Sequence, residues 1–283
     1  MLKSLQKAFK VKEVRDRLLY TFMMLVVIRI GCCLPIPGVD PSYLHDFFSN
    51  LQNSGMGFFN AITGGSFSSM SIFALSITPY ITSSIIMQLL TIAIPKLEEM
   101  QKDGEDGRKK IAEYTRYLTV GLALFESCAM AVGLGGKGLL LEDHRNIWGY
   151  LTVVAAMTAG SALLMWIGER ITDNGVGNGI SIILLCNIVS RMPSDLYNLY
   201  QKFMEGRSVA VATVSGIIVL AIIVAIVVFV LVLNDAERRI PVQYSKKMQG
   251  RRMIGGQSTY IPLKVNTANV IPVIFASSIM SMP

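Results

Sequence analysis

The spacing of long apolar runs limits this chain more than any other feature. Six stretches carry few or no charges: Leu18–Leu34, Ile72–Ile94, Tyr117–Leu134, Ile147–Ile167, Gly179–Met192 and Val209–Leu233. A seventh begins near Ala268. A helix crossing a bilayer needs about 20 mostly apolar residues, and several of these runs approach or exceed that. In hydrocarbon the backbone must satisfy its own hydrogen bonds, which leaves helices or closed barrels. Barrel strands alternate in short segments, and no such alternation is present. The composition agrees, with 52% hydrophobic and 16% charged residues, against about 25% charged in soluble domains. The expected fold is therefore all-α: a polytopic helical bundle of six transmembrane helices and the start of a seventh.

A net charge of +7 matters here through its location. With a cytoplasmic N-terminus, the inside segments 1–17, 96–116, 168–178 and 234–267 hold 6, 6, 1 and 7 Lys plus Arg. The outside segments 35–71, 135–146 and 193–208 hold 0, 2 and 2. This asymmetry follows the positive-inside rule, which counts Lys and Arg rather than net charge. The opening "MLKSLQKAFKVKEVRDR" has no short apolar core with a cleavage site and reads as an amphipathic cytoplasmic segment over 1–17. Residues 18–192 then hold five spans, and residues 193–283 hold the sixth, the basic loop 234–267 and the beginning of the seventh. Cys32, Cys33, Cys128 and Cys186 all lie in apolar runs, without metal or redox spacing.

Two spans have unusual lengths. Val209–Leu233 would run about 37 Å and must tilt or protrude, whereas Gly179–Met192 would run about 21 Å, short of a core of about 30 Å. The short one is expected inside the bundle, shielded from lipid.

"GGSFSSMSIFALSITPYITSSIIMQLL", Gly64–Leu90, places glycines, serines and a proline ahead of an apolar helix. Irregular backbone at membrane depth survives only inside protein or beside water. Pro79 removes a donor and disfavours helix at Thr78. The expectation is a short helix around Ser68–Leu75, a break near Ser76–Pro79 and a second helix from Tyr80, facing a water-filled path; one kinked helix is the alternative. Arg29 near the outer end of the first span is expected to snorkel. Glu126 in the middle of the third is a functional candidate as an intramembrane acid, with Arg29 a conceivable partner. His45 and His144 fall in outer loops.

"GERITDNGVGNGISI", Gly168–Ile182, has glycine spacing that invites a nucleotide reading, but it follows a membrane helix rather than a strand. It reads as a tight cytoplasmic turn into the fifth span. The long loop from Glu237 carries paired basic residues at Arg238–Arg239, Lys246–Lys247 and Arg251–Arg252, suited to docking a large anionic partner.

"LPIPGVD" at Leu34–Asp40, "SIFALSITPYI" at Ser71–Ile81, "GEDGRKKIAEYTRY" at Gly104–Tyr117, "GVGNGISI" at Gly175–Ile182 and "GGQSTYIPLKVN" at Gly255–Asn266 together resemble the bacterial SecY family, channel subunits of the Sec protein-translocation complex. The resemblance covers nearly the whole chain. It implies a plug over Asn60–Leu75, including Gly64, Gly65, Ser66, Ser68, Ser69 and Ser71. It also implies an aliphatic pore ring at Ile77, Ile81, Ile180, Leu184 and Ile274, which from sequence alone would read as ordinary packing. A lateral gate would involve Thr82, Ile85, Gln88, Asn266 and Thr267, held shut by hydrogen bonds of about 1 kcal/mol each. Arg251 and Arg252 would dock the ribosome, through rRNA phosphate, or the SecA motor. SecE, SecG, signal peptides, nascent chains and membrane lipids are the further implied partners, in a bacterial plasma membrane. No cofactor, metal or catalytic residue is implied. Ser76 and Asn269 stand where the family more often has glycine, and Leu184 where isoleucine is commoner. The family has ten spans in two pseudo-symmetric halves, so the chain is expected to be a fragment.

Two rival classes are less consistent. A secondary transporter with a broken-helix substrate site should show convergent polar groups, and only Glu126 offers itself. An intramembrane protease would need a catalytic constellation; no H-E-x-x-H and no Ser–His pair occurs at membrane depth. Neither explains the basic loop.

Overall fold

A computed structural model describes residues 11–39, 60, 62–135, 140–141, 145–206, 208–242, 247–249, 252–254, 259–267 and 276. The amphipathic segment before Val11, His45, His144, Arg251 and Ile274 lie outside them. Seven helices occur among the described residues: α1 (Lys12–Cys33), α2 (Thr78–Ala93), α3 (Pro95–Lys102), α4 (Glu105–Gly135), α5 (Ile147–Asn174), α6 (Gly179–Phe203) and α7 (Val209–Asp235). The chain divides into two compact units, Met1–Ser194 with Ile274–Pro283, and Asp195–Val273.

Sequence chemistry sets most of the first unit's boundaries. α1 stops where Leu34 turns extended (φ −86°, ψ 110°) ahead of Pro35. α2 begins one residue before Pro79, a position where the missing N–H has no helical partner to lose. Ile94 is extended ahead of Pro95, and α3 leaves α2 at a bend of 103°. Glu105 and Asp106 occupy the first turn of α4, where negative charge suits the helix dipole. The glycine-rich turn before α6 is a compact connector. Gly177 takes φ +72°, and Asn178 caps α6 by accepting from the N–H groups of Ile180 (3.0 Å) and Ser181 (3.3 Å).

α4 packs against α5 and α2, and α1 packs on α5. The Ser127 and Thr158 hydroxyls meet at 3.0 Å across the α4–α5 seam, where small polar residues let membrane helices approach. α5 and α6 cross tightly, because a Cβ on Gly179 would run into the Gly168 carbonyl. On the side expected to be cytoplasmic, the Arg116 guanidinium donates to Glu169 at 2.7 Å. That bond raises the Arg116 pKa above its ordinary value.

The second unit holds the end of α6, α7 and two antiparallel ribbons. No described side chain of α7 is buried. β1 (Glu237–Val242) pairs with β4 (Thr259–Lys264), Glu237 opposite Lys264 and Val242 opposite Thr259. β2 (Lys247–Gln249) pairs with β3 (Arg252–Ile254) inside that sequence interval. The described strands of the basic loop thus pair as two antiparallel ribbons, with the Arg239 guanidinium 4.8 Å from the centre of the Tyr260 ring.

Three expectations need correction. Ser68–Leu75 is not a short helix but part of a run of turns over 63–77. α6 does not end at Met192: it continues through Pro193 for 25 residues in all, about 37 Å at 1.5 Å per residue. Its outer half, "SDLYNLYQKF", is amphipathic rather than apolar, so hydropathy ends before the helix does. Glu126 makes no ion pair with Arg29, whose guanidinium reaches Asn187 on α6 instead (3.4 Å).

Candidate functional site

Residues 60–77 form the most irregular described stretch and one of the most buried. Gly64 (φ +68°) and Gly65 (φ +86°) turn the chain, and Met70 (φ +40°) and Ser76 (φ +53°) repeat the turn without glycine. Each non-glycine residue there costs on the order of 1–2 kcal/mol, so the surroundings must hold it. Thr63, Ser66, Met70, Ser71, Ala74 and Ser76 are all nearly inaccessible.

The serines make this possible by bonding backbone that no helix satisfies. The Ser71 N–H and hydroxyl both donate to the Ser66 carbonyl (3.1 and 3.3 Å). The Ser68 and Ser69 hydroxyls donate to the Gly65 carbonyl (2.9 and 3.2 Å), and the Ser68 N–H donates to Asn60 Oδ1 (3.3 Å). Local bonds of this kind replace a helical ladder.

Neighbouring elements clamp the stretch. Residues 34–36 run antiparallel to 70–72, with Ile36 N–H on the Met70 carbonyl and Ile72 N–H on the Leu34 carbonyl, both at 3.0 Å. "LPIPGVD" therefore contributes backbone partners to this site. On α5, Gly160 leaves room for the Ile72 carbonyl, which a Cβ would strike. On α6, a Cβ at Gly64 would sit 2.8 Å from the Asn187 carbonyl oxygen. Arg191 Nη1 donates to the Asn60 carbonyl (3.3 Å).

Just past this stretch, Ile77 is fully buried in an apolar cluster with Ile28, Phe73, Leu164, Ile171 and Ile183; Ile81, Ile180 and Leu184 pack against it, half-buried. Four of the five expected ring residues thus come together. Gly168 sits among them, with Ile77, Ile180 and Ile183 within about 3.5 Å of where its Cβ would be. Ile85 is buried, Thr82 half-buried and Gln88 exposed. Asn266 and Thr267 are exposed in the second unit. Arg252 opposes Gln249 in the β2–β3 hairpin.

Sequence reasoning passed over Asn187, Ser161 and Gly160. A lone amide in the apolar face of α6, and a Gly-Ser pair in mid-α5 (Gly160–Ser161), were the available signals.

These features define a helical membrane protein with a polar, irregular segment folded inward beside an aliphatic cluster. The comparisons resolve the family. Residues 71–283 match the SecY family model. The chain is 45% identical over 294 aligned residues to the protein translocase subunit SecY of Streptomyces scabiei, covering all of this chain and 66% of that protein. It is 42% identical to the SecY of Pseudomonas aeruginosa, covering 96% of this chain and 60% of the relative. The chain belongs to the SecY family, and it spans 60–66% of the length of these curated relatives.

Solved structures share the fold. One described as a protein-conducting channel gives a TM-score of 0.54 at 20% identity, covering 94% of this chain and 56% of the other. Another, from a study of the SecY plug domain in the closed translocation channel, gives 0.57 at 19% identity, also covering 94% and 56%. Sec61 in a canine ribosome–channel complex gives 0.52 at 20% identity, covering 94% and 57%.

Proposed function

We propose that this chain is the N-terminal part of the central channel subunit of a Sec translocon. The complete channel would pass unfolded polypeptides across the membrane and release transmembrane segments sideways into lipid. The single observation that carries this reading is that Phe73 and Ile77, at the end of the turn segment 63–77, share one apolar cluster with Ile81, Ile180 and Leu184. A narrow aliphatic constriction gates by dewetting, and apolar contacts fit any passing sequence because they impose no direction.

In this reading residues 60–75 are the plug. The ring is Ile77, Ile81, Ile180 and Leu184, joined by Ile274. Tyr80–Leu90 and the start of the seventh span form the lateral gate. The basic arm, with Arg251 and Arg252, docks the ribosome or SecA; a channel of this fold occurs in a ribosome complex, and paired cations suit rRNA phosphate. SecE and SecG would complete the assembly in a bacterial plasma membrane, with the N-terminus cytoplasmic. The chain performs no chemical step in this scheme; a docked partner supplies the energy. The close identity to translocase subunits supports this over a transporter.

The test is photo-crosslinking from residue 81 to a secretory chain stalled in transit, in membranes containing the complete channel, with residue 227 on α7 as control. Crosslinks from position 81 but not 227 are expected. Equal silence at both, with the stalled chain and the inserted channel verified, would refute the assignment.

A further inference from the structure

Four elements around the aliphatic cluster are tied by one chain of hydrogen bonds, buried except at its half-buried Arg29 end. On α6, Asn187 is 1% exposed. Its Oδ1 accepts from Arg29 Nη1 of α1 at 3.4 Å, and its Nδ2 donates to the Ser76 hydroxyl at 3.1 Å. The Ser76 carbonyl accepts from the Ser161 hydroxyl of α5 at 3.3 Å. Ser76 and Ser161 are 1% and 2% exposed. The direction of the chain is fixed, because a guanidinium can only donate, which turns the amide oxygen toward α1 and the amide nitrogen toward Ser76.

Position gives this chain its meaning. Ser76 immediately precedes Ile77, and Asn187 lies one helical turn beyond Ile183 and Leu184. Ser76 also holds a left-handed conformation (φ +53°), which its hydroxyl and carbonyl bonds oppose relaxing. Any widening that carries α6 away from the start of α2 stretches the Asn187–Ser76 bond.

We propose that the Arg29–Asn187–Ser76–Ser161 chain is a latch that holds the aliphatic cluster closed and sets the threshold for opening. This rests on the channel reading above. In the closed, dry state every member is bonded within the protein. Once the path hydrates, water replaces those partners, so the latch adds the net worth of a hydrogen bond and not the full cost of an orphaned amide. Asn187 and Ser76 are positioning residues; neither needs to touch the passing chain.

The experiment measures resting ion conductance of the complete channel in planar bilayers without a polypeptide. Asn187→Leu, which keeps volume and removes the amide, should raise the open fraction about fivefold, or about 1 kcal/mol at RT of 0.59 kcal/mol. Ser76→Ala should do the same, and the double variant should add little, because both remove the Asn187–Ser76 bond, the Arg29 bond that Asn187→Leu also removes being half-exposed and the weaker of the two. Asn187→Asp should stay at or below wild type, since a carboxylate can accept from both Arg29 and the Ser76 hydroxyl. Ile77→Gly serves as the reference leak. Silence of Ile77→Gly would refute the channel reading and the latch with it. A leak from Ile77→Gly with no change in Asn187→Leu and Ser76→Ala would overturn the latch alone. So would full multiplication of the two single effects, to about 25-fold.

Discussion

α7 and residues 60–77 keep a backbone out of water in opposite ways. α7 relies on an unbroken helical ladder and an apolar surface on every side; no described side chain is buried, and almost any apolar residue would serve. The 60–77 stretch gives up the ladder. It replaces it with serine hydroxyls, strand-like bonds to 34–36 and close contacts at Gly64 and Gly160. In α7 the sequence constraint is a composition, whereas in 60–77 it is a set of particular atoms. In the channel reading proposed above, where the plug 60–75 would leave its seat, many weak, water-replaceable bonds suit it better than a continuous helix.

The largest effect that sharpens this contrast comes from charge in α7. Ile222→Asp, at mid-helix, should raise the apparent free energy of membrane insertion by about 3 kcal/mol, read from the inserted fraction in microsomal membranes. Insertion at wild-type efficiency would mean that α7 has polar cover in the assembled protein.

Steric tolerance should differ next. Gly160→Ala drives a Cβ into the Ile72 carbonyl and should destabilise by about 2 kcal/mol, seen as a lower Tm of the complete purified channel. At Gly216 of α7 the only atoms met among the described residues belong to the flexible end of Met204. Gly216→Ala should leave Tm unchanged or raise it through helix propensity. Equal losses at both glycines would break the comparison.

The smallest effect belongs to the exposed α3. Lys102 Nζ donates to Glu98 at 2.7 Å, holding the Glu98 carboxyl below the usual carboxylate range. A depressed folded-state pKa contributes stability above the unfolded value and loses it as pH falls through the folded one. Because both groups are exposed, Glu98→Gln should not move Tm at pH 7 and should flatten only a slight loss on acidification.

Hydropathy made most helices legible, because lipid demands long apolar runs whatever the tertiary structure. It also located the irregular stretch, since Gly64, Gly65 and Pro79 are local signals. It did not reveal positive φ at Met70 and Ser76, which depends on surrounding bonds rather than residue type. The extent of α6 was hidden by Pro193 and by the polarity of its outer half. The Asn187–Ser76 bond spans 111 positions, so no window of sequence contains it. Within the site, the residues expected to form a ring were singled out through family resemblance; their apolar character alone matched any core.

The most direct test of the central claim, that the proposed plug 60–75 must leave its seat for transport, is a reversible lock. A Cβ on Gly64 would lie 3.1 Å from the Asn187 Cβ and 2.8 Å from its carbonyl oxygen, inside the spacing of about 3.5–4.5 Å that a disulfide needs, so the two segments must part by a few tenths of an ångström to be bridged. With Cys32, Cys33, Cys128 and Cys186 replaced, Gly64→Cys/Asn187→Cys in the complete channel should form a disulfide. Oxidation should stop transport of a secretory protein into membrane vesicles, and reduction should restore it. Undiminished transport with the disulfide fully formed would contradict the claim.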